Sequence, residues 1–116
     1  MRINFKIHKK NICISHIGNG LYQYTLFVDG YADPFGFFWV RLSKGEEKKI
    51  GLLIYAYVMP FARGLGVSEY ILARLMEDCD IIISGKSTQE GINKMKKLGF
   101  IYDEKTDLWI LNFKEK

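Results

Sequence analysis

The hydrophobic pattern of this chain first changes period at Pro60, and that change constrains the fold more than any other feature. Before it lie three short runs rich in aromatic and β-branched residues: 21–28 (L-Y-Q-Y-T-L-F-V), 35–42 (F-G-F-F-W-V-R-L) and 50–58 (I-G-L-L-I-Y-A-Y-V). Gly18-Asn19-Gly20, Asp29-Gly30 and Asp33-Pro34 punctuate them as turns. Such runs predict strands. The last two are apolar at both parities, which predicts central, covered strands. Pro60 ends the third because it cannot donate a ladder hydrogen bond. Beyond it, Val67, Ile71, Leu72, Leu75, Met76 and Cys79 recur at helical spacing and predict a helix over 65–79. Glu77, Asp78 and Asp80 crowd its C-terminal end, against the helix dipole.

The rest of the second half continues the alternation. Ile81-Ile82-Ile83 predicts a short buried strand. Ser87 and Glu90 fit a capping box for a second helix over 88–97, with Ile92, Met95 and Leu98 on its apolar face and Gly99 closing it. Residues 100–102 and 108–113 predict a hairpin, and residues 3–17 one long strand or two short ones. A strand–helix–strand crossover should be parallel and right-handed. The expected fold is therefore an α+β domain, a mixed sheet of six to seven strands that is antiparallel except for one pair, with two main helices.

The 116 residues allow one domain, 1–116. With 48% hydrophobic and 26% charged residues, the composition excludes a disordered chain, a collagen and a coiled coil. No apolar run approaches the ~18–20 residues of a membrane span. The opening M-R-I-N-F-K-I-H-K-K is no signal peptide, so a cytoplasmic domain without a membrane partner is expected. The net charge of +4 sits in residues 1–58, where eight basic residues face four acidic ones. Lysines of this kind commonly protect a strand edge. Nucleic acid is not the expected partner: only four of the seventeen basic residues are arginine, and no nucleic-acid motif is present. Cys13 and Cys79 beside isoleucines read as small buried hydrophobes in a reducing compartment. Neither they nor His8 and His16 have metal-ligand spacing, so no metal is expected.

The segment V-M-P-F-A-R-G-L-G-V-S, residues 58–68, carries the chemistry. Gly64 and Gly66 permit a tight turn and close backbone approach to a ligand. The first amides of the following helix lack internal partners and sit at the positive end of its dipole, which suits a phosphate. Arg63 adds a fixed positive charge with paired donors.

This segment resembles the signature of the GNAT acyltransferases, Arg/Gln-x-x-Gly-x-Gly/Ala at a strand-to-helix junction. Arg63-Gly64-Leu65-Gly66-Val67-Ser68 matches it, with Ser68 in the last small position. Val58-Met59-Pro60 is similar to the family's strand end, and Leu98-Gly99-Phe100 to the end of its last helix. The resemblance spans residues 50–113. It implies an acyl-CoA-dependent N-acyltransferase, with acetyl-CoA as the expected cosubstrate. The sheet would splay between 50–58 and 81–84 to admit coenzyme A. The pyrophosphate would meet the amides of Arg63, Gly64, Leu65, Gly66, Val67 and Ser68. The pantetheine would pair with strand 55–59 (Tyr57, Val58, Met59), and an amide near Val58 would stabilise the oxyanion.

Two features depart from that family. Its usual tyrosine acid, four residues before the helix-ending glycine, is Met95 here. Ser87, Thr88, Tyr102 or water would have to replace it. Strand 50–58 contains no carboxylate base; Glu46 and Glu47 lie in the preceding turn, and Tyr55 and Tyr57 share one face and would line the site. The family's two helices between its first two strands have no room in residues 3–30. The acceptor side is then open, suited to a macromolecular amine, or walled by a second subunit. An inactive CoA-binding or protein-interaction module is the alternative function. Two helices covering both faces of seven strands would leave apolar surface bare. A homodimer that buries aromatic residues of strands 21–28 and 35–42, Trp39 among them, is the expectation.

Overall fold

Alternation along the strands builds the domain. In the computed structural model, which describes residues 3–85 and 88–113, β1 (Lys10–Gly18) and β2 (Leu21–Val28) form a hairpin. Its turn places Asn19 and Gly20 at φ 50° and 78°, the left-handed pair that matches strand twist. β3 (Gly36–Lys44) and β4 (Lys49–Val58) continue the meander. A 3-10 turn over Pro60–Ala62 leads to α1 (Val67–Asp78), then β5 (Ile81–Ser84), α2 (Gln89–Leu98), β6 (Ile101–Asp103) and β7 (Leu108–Asn112). All seven strands form one sheet in the order β1-β2-β3-β4-β5-β7-β6. Only β4 and β5 are parallel, as the crossover requires.

Both helices lie on the same face of the sheet. Gly51 pairs with Ile82, and Ile82 with Leu111, so these three share a face. A Cβ on Gly51 would sit 3.1 Å from Sγ of Cys79 at the end of α1. A Cβ on Gly99 at the end of α2 would sit 3.5 Å from Leu111. The expectation that the two helices cover both faces is therefore corrected. The reason is handedness: β4→β5 and β5→β6 step the same way across the sheet, and two right-handed crossovers in one direction deliver their helices to one side. Burial follows. Tyr24, Leu26, Val28, Phe38 and Val40 on the helix side of β2 and β3 are buried with Ile71, Leu72 and Leu75 of α1. β4 is central, as expected, but not covered on both faces; Ile54 and Tyr55 are each 48% exposed.

The ends of the chain differ from expectation in two places. β1 starts only at Lys10, because residues 3–9 fold back over the helix side, where Phe5 packs against Phe35 at 6.2 Å and Tyr70 of α1 at 6.0 Å. Lys10 Nζ donates to the carbonyls of Phe5 and His8, which ties that segment down. At α2 the cap is Thr88, whose hydroxyl accepts from Gly91 N–H at 3.1 Å; Ser87 lies outside the described residues. Of the two cysteines expected to be buried, Cys79 is and Cys13, on edge strand β1, is exposed.

The acids at the end of α1 act as tethers. Asp78 accepts from the Tyr24 hydroxyl at 2.7 Å and from Arg74 Nε at 3.4 Å. Asp80 accepts from Lys49 N–H at 2.8 Å. Burial, then the bond to Asp78, raises the Tyr24 phenol well above its ordinary pKa of 10.0. A raised phenol favours folding at neutral pH and loses that contribution as pH climbs past the unfolded value. The contribution of this group to the unfolding free energy, from denaturant titrations, should stay constant up to about pH 10 and fall above it, and Tyr24→Phe should flatten that fall.

A second prediction concerns Gly36, where a Cβ would lie 2.8 Å from the Tyr57 carbonyl and 2.9 Å from Cγ1 of Val67. Gly36→Ala should force the start of α1 and the end of β4 away from β3 and cost about 1–3 kcal/mol, read as a lowered thermal midpoint; an unchanged midpoint would show that these elements are not packed this closely on β3.

Candidate functional site

The sheet divides between β4 and β5. Their pairing starts at Ile50↔Ile81 and stops at Leu53↔Ser84, whereas β4 stays paired with β3 as far as Val58↔Gly36. A β-bulge opposite Trp39/Val40 falls where the two strands part, at Ile54, and bends β4 away from β5. From Ile54 onward the outer edge of β4 has no strand beside it among the described residues.

Backbone groups of successive strand residues point to opposite edges. Met59 N–H donates to Phe35 O at 2.9 Å on the β3 side, so the N–H and C=O of Val58 point to the open edge. There the Val58 carbonyl accepts from Arg63 Nε at 3.2 Å. The expected role of Val58 as an outward amide is compatible with this geometry. Met59 is placed differently from expectation: its amide is committed to β3 and is not presented to the gap.

The strand edge runs into the turn before α1. Gly64 and Gly66 adopt φ of 81° and 88°, which L-residues rarely reach, and a Cβ on Gly64 would meet nothing within 4 Å. Gly66 is the N-cap of α1, and no side chain caps the helix. The first intrahelical bond at this end is Tyr70 N–H to Gly66 O, which leaves the amides of Val67, Ser68 and Glu69 as the free donors of the first turn. The Val67 and Ser68 side chains are buried and fix the helix end against the sheet. Leu65 is half-buried and packs on the core. The result is a cleft of about 1180 Å³ bounded by β4, this turn, the end of β5 and one side of α2.

The other site candidates separate. Tyr55 and Tyr57 border the cleft with parallel rings 6.5 Å apart. They pair with Trp39 and Phe37, and so stand on the face away from the helices. Tyr57 is thus not beside the α1 amides; its link to the turn is Arg63, whose guanidinium lies 5.8 Å from its ring centre. Thr88 borders the cleft while capping α2. Tyr102 does not border it: its hydroxyl is bonded to Asp107, chiefly by which its pKa is raised. Met95 is buried in the cleft wall, where its thioether has no proton to give.

Three residues were not singled out in sequence. Ser84, the last paired residue of β5, is buried at the point where the strands part. Lys94 stands on the α2 wall. The Glu69 carboxylate approaches the place of a Gly66 Cβ to 3.4 Å, which puts a negative charge beside the free amides. Only Ser84 had a signal, a polar residue ending an isoleucine run.

No protein-family model matches the chain, and no curated protein does. Solved structures do. A chain of the NatC complex bound to Gag peptide and CoA superposes with a TM-score of 0.60 at 17% identity, over 78% of this chain and 70% of that one. A putative acetyltransferase from Exiguobacterium sp. 255-15 gives 0.59 at 15% identity, over 83% and 65%. With the mixed seven-stranded sheet, its one parallel pair and its two helices, these likenesses establish that the chain has a GNAT-like fold.

Proposed function

We propose that the chain is an acyl-CoA-dependent N-acyltransferase, with acetyl-CoA as donor, that transfers the acyl group directly to an amine in a ternary complex. One observation carries the reading: the free edge of β4 is continuous, through Arg63–Gly66, with an uncapped helix N-terminus. The donor set fits coenzyme A. Amides of the first turn of α1 suit a pyrophosphate, the open space over Gly64 admits it, and the terminal nitrogens of Arg63 supply charge. The backbone of Ile54–Val58 takes the pantetheine amides as an added strand would. Of the two neighbours, the NatC complex is bound to CoA, which supports the same cosubstrate here.

In this reading the Val58 N–H donates to the thioester oxygen, and that bond strengthens as the oxygen gains charge. The neutral amine attacks the carbonyl carbon; the new C–N bond forms, the C–S bond breaks, and the amine's surplus proton passes to solvent. The acceptor reaches the gap from the helix-free side. The thiolate takes a proton from water or from a hydroxyl at the cleft, of which Ser84, Thr88, Tyr55 and Tyr57 are the candidates. With a thiol pKa near 8.5 the leaving group is tolerable without a dedicated acid. The second reading, a CoA-binding or protein-interaction module without turnover, is favoured by Met95 and by the lack of helices between β1 and β2. The exposed free thiol of Cys13 suits a reducing cytoplasm, and a homodimer remains part of the proposal.

Calorimetry should detect acetyl-CoA binding. Gly66→Asp, which adds strain and negative charge to the turn, should weaken it about tenfold or more, and Arg63→Ala by a smaller factor; binding unchanged in both would remove the site. Glu69→Gln should tighten binding about two- to fivefold by removing the carboxylate beside the amides. Thiol release measured over a panel of amines and peptides separates the two readings: acyl transfer to any acceptor excludes the inactive module.

A further inference from the structure

The face of the sheet that carries no helix has an aromatic and aliphatic centre, with polar residues such as Asn11, Ser15, Ser43 and Asn112 towards its margins. Register and alternation place Phe27 of β2, Phe37 and Trp39 of β3, Leu52, Tyr55 and Tyr57 of β4, Ile83 of β5 and Ile110 of β7 on it. Phe27 and Trp39 are each 37% exposed. Phe37, Trp39, Tyr55 and Tyr57 form one contiguous group of rings with centres 5.6–6.5 Å apart. On this side of β1–β5 and β7 the one charged side chain among the described residues is Arg41. The described part of the N-terminal segment, residues 3–9, lies on the other side, where Phe5 packs against Tyr70 of α1.

Its polar groups are arranged as in an interior. Trp39 Nε1 donates to Gln23 Oε1 at 2.8 Å, and Gln23 Nε2 donates to Thr25 Oγ1 at 2.9 Å. Polar groups satisfied within the face itself lose little when water is removed. We propose that this face is the contact surface of a two-fold homodimer, and that the second copy walls the helix-free side of the gap between β4 and β5.

A second copy fits better than a charged partner for three reasons. Around Trp39 the face carries one charge, Arg41, with Asp103 at the far edge on β6, so its centre offers little for a charged partner to select and suits a second apolar face. A two-fold axis near Trp39 sets the two copies of Arg41 on opposite sides of that axis. The area is also adequate. β1–β4 are 8–10 residues long, and at about 4.8 Å between strands and ~3.3 Å per residue they make a sheet of roughly 500 Å² before side-chain relief is counted. Two such faces give roughly 1,000 Å² in total, the lower bound for a specific interface, and side-chain relief adds to it. Sheets stacked about 10 Å apart close the space between them to water. Beyond Leu53↔Ser84 the gap is open to this side, so the acceptor site is incomplete in one copy. That last point rests on the acyl-transfer reading; the assembly does not.

Sedimentation at micromolar concentration should show a species of twice 13.5 kDa. Trp39→Glu, and separately Gln23→Lys, should yield folded monomers, since an unpaired charge in an apolar contact is costly. Both monomers should keep acetyl-CoA binding by calorimetry while acyl transfer falls at least tenfold. A wild-type species of 13.5 kDa, or variants that stay dimeric, would overturn the proposed surface. Full acyl transfer by a monomeric variant would overturn the wall. Absent CoA binding with an intact dimer would instead count against the acyl-transfer reading and leave the surface standing.

Discussion

Everything in this domain depends on where one parallel strand pair stops. β4 and β5 share four registered positions, and then β5 ends while β4 continues on β3 for five more residues. A continuous sheet would have satisfied that edge and buried the apolar residues on it. Instead the edge is left free, and its last residues lead through a proline and two left-handed glycines into an uncapped helix. Unpaired strand groups and unpaired helix amides, both costly to bury without partners, therefore border one cleft. The same backbone that makes the cleft a poor place to leave empty of polar contacts makes it suited to an extended ligand with a phosphate at one end.

The helices lie where the handedness of the crossovers puts them, and this determines the opposite face as well. With α1 and α2 on one side, the core forms between them and β2, β3 and β4. The other side keeps an aromatic surface that nothing in the described chain covers. The two faces thus differ in kind. One supplies a helix N-terminus and a closed core; the other carries the exposed aromatic group around Trp39. Acids that oppose the dipole of α1 are explained by the first face: Asp78 and Asp80 hold the helix end to β2 and β4.

Much of this was legible from residues. The aromatic run 21–28 is β2 to the residue, because period and composition agree and turns bound it on both sides. Arg63-Gly64-Leu65-Gly66 located the turn because only glycine reaches its backbone angles readily. Other features depend on contacts that no local pattern encodes. Residues 3–9 alternate like a strand but have no strand to pair with, and Phe5 settles on α1 instead. The cap of α2 moved from Ser87 to Thr88, adjacent residues with the same chemistry. Tyr102 is a tyrosine near the sheet edge in sequence, yet Asp107 across its own hairpin takes the hydroxyl. That Met59 turns its amide to β3 follows from register, which a single strand's sequence does not carry.

The central claim is that the β4 edge and the α1 N-terminus act as one ligand-binding surface. Backbone amide resonances followed during a titration with coenzyme A test it most directly. The account predicts that Val58 and the amides of Gly64 to Glu69 shift together and saturate at one ligand concentration. Shifts confined to other parts of the sheet, or a response at α1 with none at Val58, would contradict it.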